Sequence, residues 1–290
     1  MSFLAGPLSL IIRPIYNLIE NYGITIIIAT ILIKILTIPL TIKSQKNMAK
    51  TQMIQPEIQK IQEKYKNDRN MLAMEMQKVY KKYDVNPMGG CLPLLIQMFI
   101  LFGFIGVIYH PFEHILQMSG KEIANVAQSL GLSRKTDEMQ LWGAAGINDA
   151  LKAGGFGTIN FNFFGIDLTK VPQADVKNWT VWIFPVLATV ATYLSGIQTQ
   201  MQQKKNAGSS ANNNQPAPGS TMMKIMPIMT AVFTVMMPIG MSLYWFVSTF
   251  FQIVQQFIMN KFVNEKIKEQ VMVRQEEIKE EKAKRKKGKK

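Results

Sequence analysis

Between Tyr22 and Ile42 the chain is written almost wholly in Ile, Leu, Ala, Thr, Gly and Pro, with one charge, Lys34, near the middle. A stretch of roughly 20 such residues is long enough for a helix to cross a bilayer. An ammonium at the centre of a spanning helix costs roughly 2.5–3.5 kcal/mol, so Lys34 must face a partner, a protein interior or a wet cavity. Thr30, Lys34, Thr37 and Thr41 recur at helical spacing, which gives this span one polar face in an otherwise apolar cylinder. The competing reading is a snorkelling side chain, since the basic segment that starts at Lys43 is only about two turns away.

Mean hydropathy is +0.06 and charged residues make up 18% of the chain, values that hide a sharp segregation of charge into blocks between apolar runs. Four further runs have spanning character: Gly90 to Tyr109, Trp179 to Gln198, the shorter Met222 to Met237, and Gly240 to Asn260. Residues 43–89 hold ten Lys/Arg against five acids, whereas residues 110–178 hold six against seven. Residues 261–290 carry twelve basic residues against six acids, and Lys204, Lys205 and Lys224 lie at the third connection. With basic loops facing the cytosol, five spans place the N-terminus outside and the C-terminus inside. The net charge of +14 is mostly this bias, so it does not by itself indicate nucleic-acid binding.

The expected organisation is an all-α multi-pass membrane protein. An outer interfacial amphipathic helix covers 1–21, spans cover 22–42, 90–109, 179–198, 222–237 and 240–260, and a cytosolic helical hairpin covers 43–89. An extracellular segment covers 110–178, a flexible cytosolic loop 199–221 and a basic cytosolic tail 261–290. In the first segment Arg13, Asn17 and Glu20 oppose Ile12, Ile15, Leu18 and Ile19, and Pro14 interrupts the apolar run. In the hairpin, Pro56 fits the first turn of a helix ending at Tyr65, and Asp68 is the expected N-cap of a second helix from Arg69 to Tyr83. Its sparse apolar positions are rich in Met, suited either to packing the hairpin on itself or to contacting a client. A short helix is expected from Lys121 to Leu130. Residues 206–220 read as a linker, and Pro238 with Gly240 marks a tight turn. The single cysteine, Cys91, excludes an intramolecular disulfide.

Phosphate-cradling loops, dinucleotide fingerprints and Gly-x-Ser-x-Gly elbows are absent from the sequence, and no catalytic residue or cofactor is expected. His110, Glu113 and His114 spell H-P-F-E-H, the spacing of an inverted zinc-protease motif. Pro111 falls inside the would-be ligand helix and there is no third histidine, so a further ligand would have to be a carboxylate such as Glu122. No metal site is expected on these grounds, and His110 and Glu113 read as interfacial polar residues. Polar stripes also run along other spans: Thr189, Thr192, Ser195 or Gly196, and Thr199 on the third, and Trp245, Ser248 or Thr249, Gln252 and Gln256 on the fifth, with Gln97 alone on the second. Together with Lys34 they suggest one shared hydrophilic interior.

Ile31 to Leu40 (ILIKILTIPL), QPEIQKIQEKYKND from Gln55, NPMGGCLPLLIQM from Asn86 and PIGMSLYWFVSTFFQIVQQ from Pro238 resemble the YidC/Oxa/Alb membrane insertase family. The resemblance covers nearly all of residues 5–262, and the short N-terminus looks like that of a Gram-positive bacterial member. It implies five spans around a hydrophilic groove open to the cytosol and to lipid, in which Lys34 replaces the commoner Arg. Gln97, Gln198 and Trp245 match groove-lining positions, and the stripe residues Thr30 and Thr37 share the face of Lys34. Phe99 departs from the family's usual Pro. The implied partners are nascent membrane proteins and the lipid bilayer, with the Sec translocon and the ribosome as further partners. Lys284, Arg285, Lys286, Lys287, Lys289 and Lys290 are the candidate contacts to ribosomal RNA or to anionic lipid. The alternative function is a solute or ion transporter or channel, for which a polar-lined bundle with a buried Lys also serves.

Overall fold

The computed structural model describes residues 2–86, 92–136, 138–207, 220–262, 269–274, 276–278 and 280. The centre of the expected linker and the basic cluster Lys284, Arg285, Lys286, Lys287, Lys289 and Lys290 therefore lie outside the described residues. The described chain is almost entirely helical.

Helix α1 (Ser2–Ile19) is followed by α2 (Tyr22–Met53), which does not stop at Ile42. Past that point the residues are mainly Lys, Gln, Met, Ala, Ser and Thr with no Gly or Pro, so nothing local ends the helix. Its 32 residues make a rod of about 48 Å, well beyond a hydrocarbon core of about 30 Å. Helices α3 (Gln55–Lys64) and α4 (Arg69–Lys82) form the hairpin, and α5 (Leu92–Tyr109) follows. The next segment carries α6 (Pro111–His114), α7 (Gly120–Ser129), α8 (Glu138–Trp142) and α9 (Ile147–Ala153). It continues with an antiparallel pair of two-residue strands, β1 (Asn162–Phe163) and β2 (Ile166–Asp167), then a 3-10 turn at Trp179–Trp182. The last helices are α10 (Ile183–Ala207), α11 (Ser220–Met236) and α12 (Ile239–Phe262). Among the described residues, Tyr22–Met53 and Trp179–Gln202 have both the length and the hydropathy to cross a membrane, while Leu95–Tyr109 and Ile225–Met236 are apolar but shorter.

The chain forms two compact units. The first comprises Met1–Leu36, Leu95–Leu194 and Met223–Phe251. Its core is built on Tyr22, Phe104, Phe112, Leu141, Leu151, Ile159, Leu168 and Tyr244, all fully buried. Main-chain bonds stitch the 110–178 segment to helix ends. Tyr22 N donates to Asn160 O (3.0 Å), Gln173 N to Val235 O (3.1 Å), Ile239 N to Lys170 O (2.9 Å) and Gly240 N to Leu168 O (3.0 Å). Phe163 on β1 lies so close over Gly23 that a Cβ there would overlap its ring. Helix α1 passes through Pro7 and Pro14 without ending, and it buries Ile12 and Tyr16 while leaving Leu18, expected on the same face as Ile12, 85% exposed. Large apolar side chains also stand exposed along the spans, among them Leu36, Phe99, Val190, Leu194, Ile228 and Val232.

The second unit comprises Thr37–Leu94, Ser195–Met222 and Gln252–Lys290. Pro56 sits in the first turn of α3, and the Asp68 carboxylate accepts from the backbone of Asn70 (3.1 Å) and Met71 (3.0 Å) to cap α4. The hairpin closes on Ile54, Ile58, Val79, Tyr83 and Val85, with Met76 packed at the side and Met74 left exposed. Thus branched and aromatic residues, rather than the methionines, make most of its interior. Glu57 accepts from Lys82 Nζ (2.6 Å) and from the Tyr83 hydroxyl (2.7 Å), tying α3 to α4. Burial and the neighbouring Glu57 carboxylate together hold the Tyr83 phenol well above its usual pKa. The helical residues 269–274 and 276–278 of the tail dock here: Ile278 joins the hairpin core, Val271 packs with Ala49, and Arg274 Nε donates to Lys82 O (3.3 Å).

Candidate functional site

Lys34 lies on α2 with 8% of its surface exposed. Its Nζ donates to Gln97 Oε1 on α5 at 2.8 Å, and Gln97 Nε2 lies 3.4 Å from the Tyr244 hydroxyl on α12. An ammonium can only donate, so it takes the carbonyl end of the amide and turns the amide NH2 toward the phenol. Tyr244 is itself fixed: it is buried, stacks on Phe104 with ring centroids 4.3 Å apart, and is hydrogen-bonded to Ser248. Three helices thus meet at one amide, and the charge in the apolar span is held by neutral polar groups of the first unit.

The expected neighbours divide unevenly. Lys34 and Gln97 are brought into contact. Thr30 is buried and returns its hydroxyl to Ile26 O (2.6 Å), so it contributes shape rather than a donor to the site. The same back-bonding consumes Thr189, Thr192 and Thr199, whose hydroxyls reach carbonyls four residues earlier. Trp245 is half-buried against Phe233, ring centroids 5.8 Å apart, one position beyond Tyr244 and so about 100° around the helix. Tyr244 is the residue the sequence reading passed over. A tyrosine with Ser248 one turn on was the available signal, hidden because aromatic residues fill the same run.

Thr37 and Gln198 belong to the second unit. Gln198 Nε2 donates to Ile253 O (3.3 Å), and its Oε1 is buried with no hydrogen-bond partner among the described residues. Gln256 Nε2 donates to Thr199 Oγ1 (3.3 Å), and Gln255 Nε2 to Thr41 Oγ1 (2.6 Å). Gln45, Gln52, Gln202, Gln252 and Gln256 line a cavity of about 180 Å³ within this unit, together with Asn260 and Thr199. Met48, Ala49 and Met259 complete the lining, so the wall mixes apolar side chains with amides, which both donate and accept and carry no formal charge.

The H-P-F-E-H motif does not form a zinc-protease helix. His110 precedes the single turn Pro111–His114, so the two histidines are not carried on one continuous helix, and their ring centroids stand 6.5 Å apart. Glu122, the carboxylate expected as a further ligand, is engaged in a capping box with Ser119, whose hydroxyl and backbone hold its pKa below the usual carboxylate range.

A model of the family described as 60Kd inner membrane protein matches residues 14–267. The chain belongs to the YidC/Oxa/Alb family of membrane protein insertases. It is 33% identical over 244 residues to the membrane protein insertase YidC of Fusobacterium nucleatum, covering 84% of this chain and 88% of that one. It is 31% identical over 262 residues to the membrane protein insertase MisCA of Bacillus subtilis, covering 89% and 77%. A YidC of Syntrophobacter fumaroxidans is 34% identical over 262 residues, but there the match spans 90% of this chain and only 38% of the relative. The match to the Bacillus protein is consistent with a Gram-positive type. Membership makes the chain a bacterial membrane protein and a membrane protein insertase, a non-enzymatic family.

Proposed function

We propose that the chain inserts integral membrane proteins, and assists their folding, through a hydrophilic groove framed by α2, α5, α10, α11 and α12. The N-terminus is then outside and the C-terminus in the cytosol. The observation that carries this reading is the Lys34 ammonium, buried against Gln97, which in turn faces Tyr244, inside a helix otherwise suited to lipid. Exposed apolar side chains along the same helices support a lipid-facing exterior.

The mechanism follows from solvation. A client's polar or acidic tail faces a barrier of several kcal/mol per group at the bilayer centre. A polar groove shortens that dry path, and Lys34 draws the tail's carboxylates. The client's apolar segment then leaves sideways into lipid, downhill by about 25 cal/mol per Å² of apolar surface, so no nucleotide is needed. Thr30, Thr37, Gln97, Gln198 and Trp245 belong to this groove. In the cytosol, the basic tail meets ribosomal RNA or anionic lipid, and the Sec translocon is a further partner.

Lys34→Ala should reduce insertion of clients with acidic external tails, while Lys34→Arg should preserve it. The assay is protease protection of the client tail in cells depleted of the wild-type chain. Normal insertion of every client by Lys34→Ala would remove the groove charge from the mechanism.

A further inference from the structure

Glu138 is a carboxylate 6% exposed at the start of α8, and the groups around it are those of a metal site. Its Oε2 accepts from the backbone N–H of Phe112 at 2.8 Å. Its Oε1 lies 3.5 Å from His110 Nδ1. The Glu113 carboxylate completes a group whose ligand atoms all lie within 4.8 Å of one another.

From this juxtaposition we propose that His110, Glu113 and Glu138 bind one divalent transition-metal ion, Zn²⁺ being the best match. An imidazole nitrogen with two carboxylate oxygens is a borderline donor set, which favours Zn²⁺ and its neighbours over Mg²⁺ or Ca²⁺. Bonds of about 2.1 Å in a tetrahedron separate ligand atoms by about 3.4 Å, close to the His110–Glu138 spacing already present. Glu113 is exposed, and rotation of its side chain would bring it to a third position, leaving the fourth to water. Two carboxylates and a neutral imidazole balance the ion's charge.

Both sides of the site are held in place beforehand. Phe112 N–H, between His110 and Glu113 in the chain, points one Glu138 oxygen away and so aims the other at the ligands, the supporting role that hydrogen bonds play around ligating carboxylates. Leu141 and Trp142 anchor α8 in the core of the first unit, and His110 N bonds to Gly106 O at the end of α5. The ion would therefore clamp α8 to the end of α5, a cross-link that a chain with one cysteine cannot make with a disulfide. His114, which the H-P-F-E-H motif nominates, lies outside the ligand group, so the ion would not complete the zinc-protease arrangement.

The test uses the full chain, purified in detergent without a histidine tag and stripped with chelator, then titrated with Zn²⁺ and, for its visible spectrum, with Co²⁺. One equivalent should bind and raise the unfolding temperature, and the Co²⁺ bands should report mixed nitrogen and oxygen ligation. His110→Ala should weaken binding roughly tenfold or more, since even loss of a supporting partner costs about that much. Glu113→Gln should do the same, whereas Glu122→Gln should bind as the unaltered chain does. His110 is half-exposed, so its replacement is compatible with folding even if Glu138→Gln is not. Absence of binding, or binding of unchanged affinity in His110→Ala, would overturn the proposal.

Discussion

Replacing Gln97 tests how the buried ammonium is held. Gln97→Leu keeps the side-chain volume but removes the acceptor 2.8 Å from Lys34 Nζ and the donor facing Tyr244. A hydrogen bond to a charged group is worth about 1.5–3 kcal/mol, and the 3.4 Å contact to Tyr244 adds less than about 1 kcal/mol. A loss of about 2 kcal/mol is therefore expected, roughly a thirtyfold shift in the unfolding equilibrium. Gln97→Glu works in the opposite sense. The ammonium gains an ion-pair partner, so the fold should hold, but a client carboxylate would then have to displace the introduced carboxylate to reach Lys34. Unfolding in detergent should rank the variants with Leu least stable, and an insertion assay should find Glu impaired for acidic-tailed clients and near normal for uncharged ones. If Gln97→Leu unfolds like the parent, or Gln97→Glu inserts acidic tails at the parent rate, Gln97 is not what positions the charge.

The Tyr83 phenol provides a pH signature for the hairpin. Because folding raises its pKa, its contribution is whole below the ordinary phenol value near 10 and declines as pH rises beyond that toward the folded value. The unfolding midpoint of the hairpin, followed by circular dichroism, should therefore fall in strong alkali, and Tyr83→Phe should flatten that response at a cost of about 1 kcal/mol at neutral pH. At the start of α2, Gly23→Val would drive a branched side chain into Phe163 and cost about 1–3 kcal/mol. A thermal melt matching that of the parent chain would show that the strand pair can move aside freely.

Local chemistry made much of this fold legible in the sequence. Asp68 announces a helix start and Pro56 a first turn because capping is decided within a few residues, and an ammonium in an apolar run announces an interior because water is absent there. The polar partner of that ammonium on another helix, Gln97, was likewise visible as the lone amide of its span. What was not legible depends on distant contacts. Nothing near Glu138 in sequence points to His110, whereas Glu122 looked available until its capping role was seen. The continuation of α2 to Met53 was obscured because hydropathy ends at Ile42 although helix propensity does not. The threonine stripes misled for a related reason: composition marks them polar, but most of those hydroxyls are turned back on their own helices.

The seam between the 110–178 segment and the helix ends includes, beside the Tyr16 and Asn21 side chains, main-chain donors at Tyr22, Gln173, Ile239 and Gly240. Peptide groups are the same whatever side chain they carry, so the segment is free to diverge at its surface without loosening its hold. Mutational tolerance should therefore split by burial: at exposed Gln173 most exchanges are accepted and proline, the one residue with no N–H to give, is refused, whereas Tyr22 and Ile239 are also core side chains and tolerate far less.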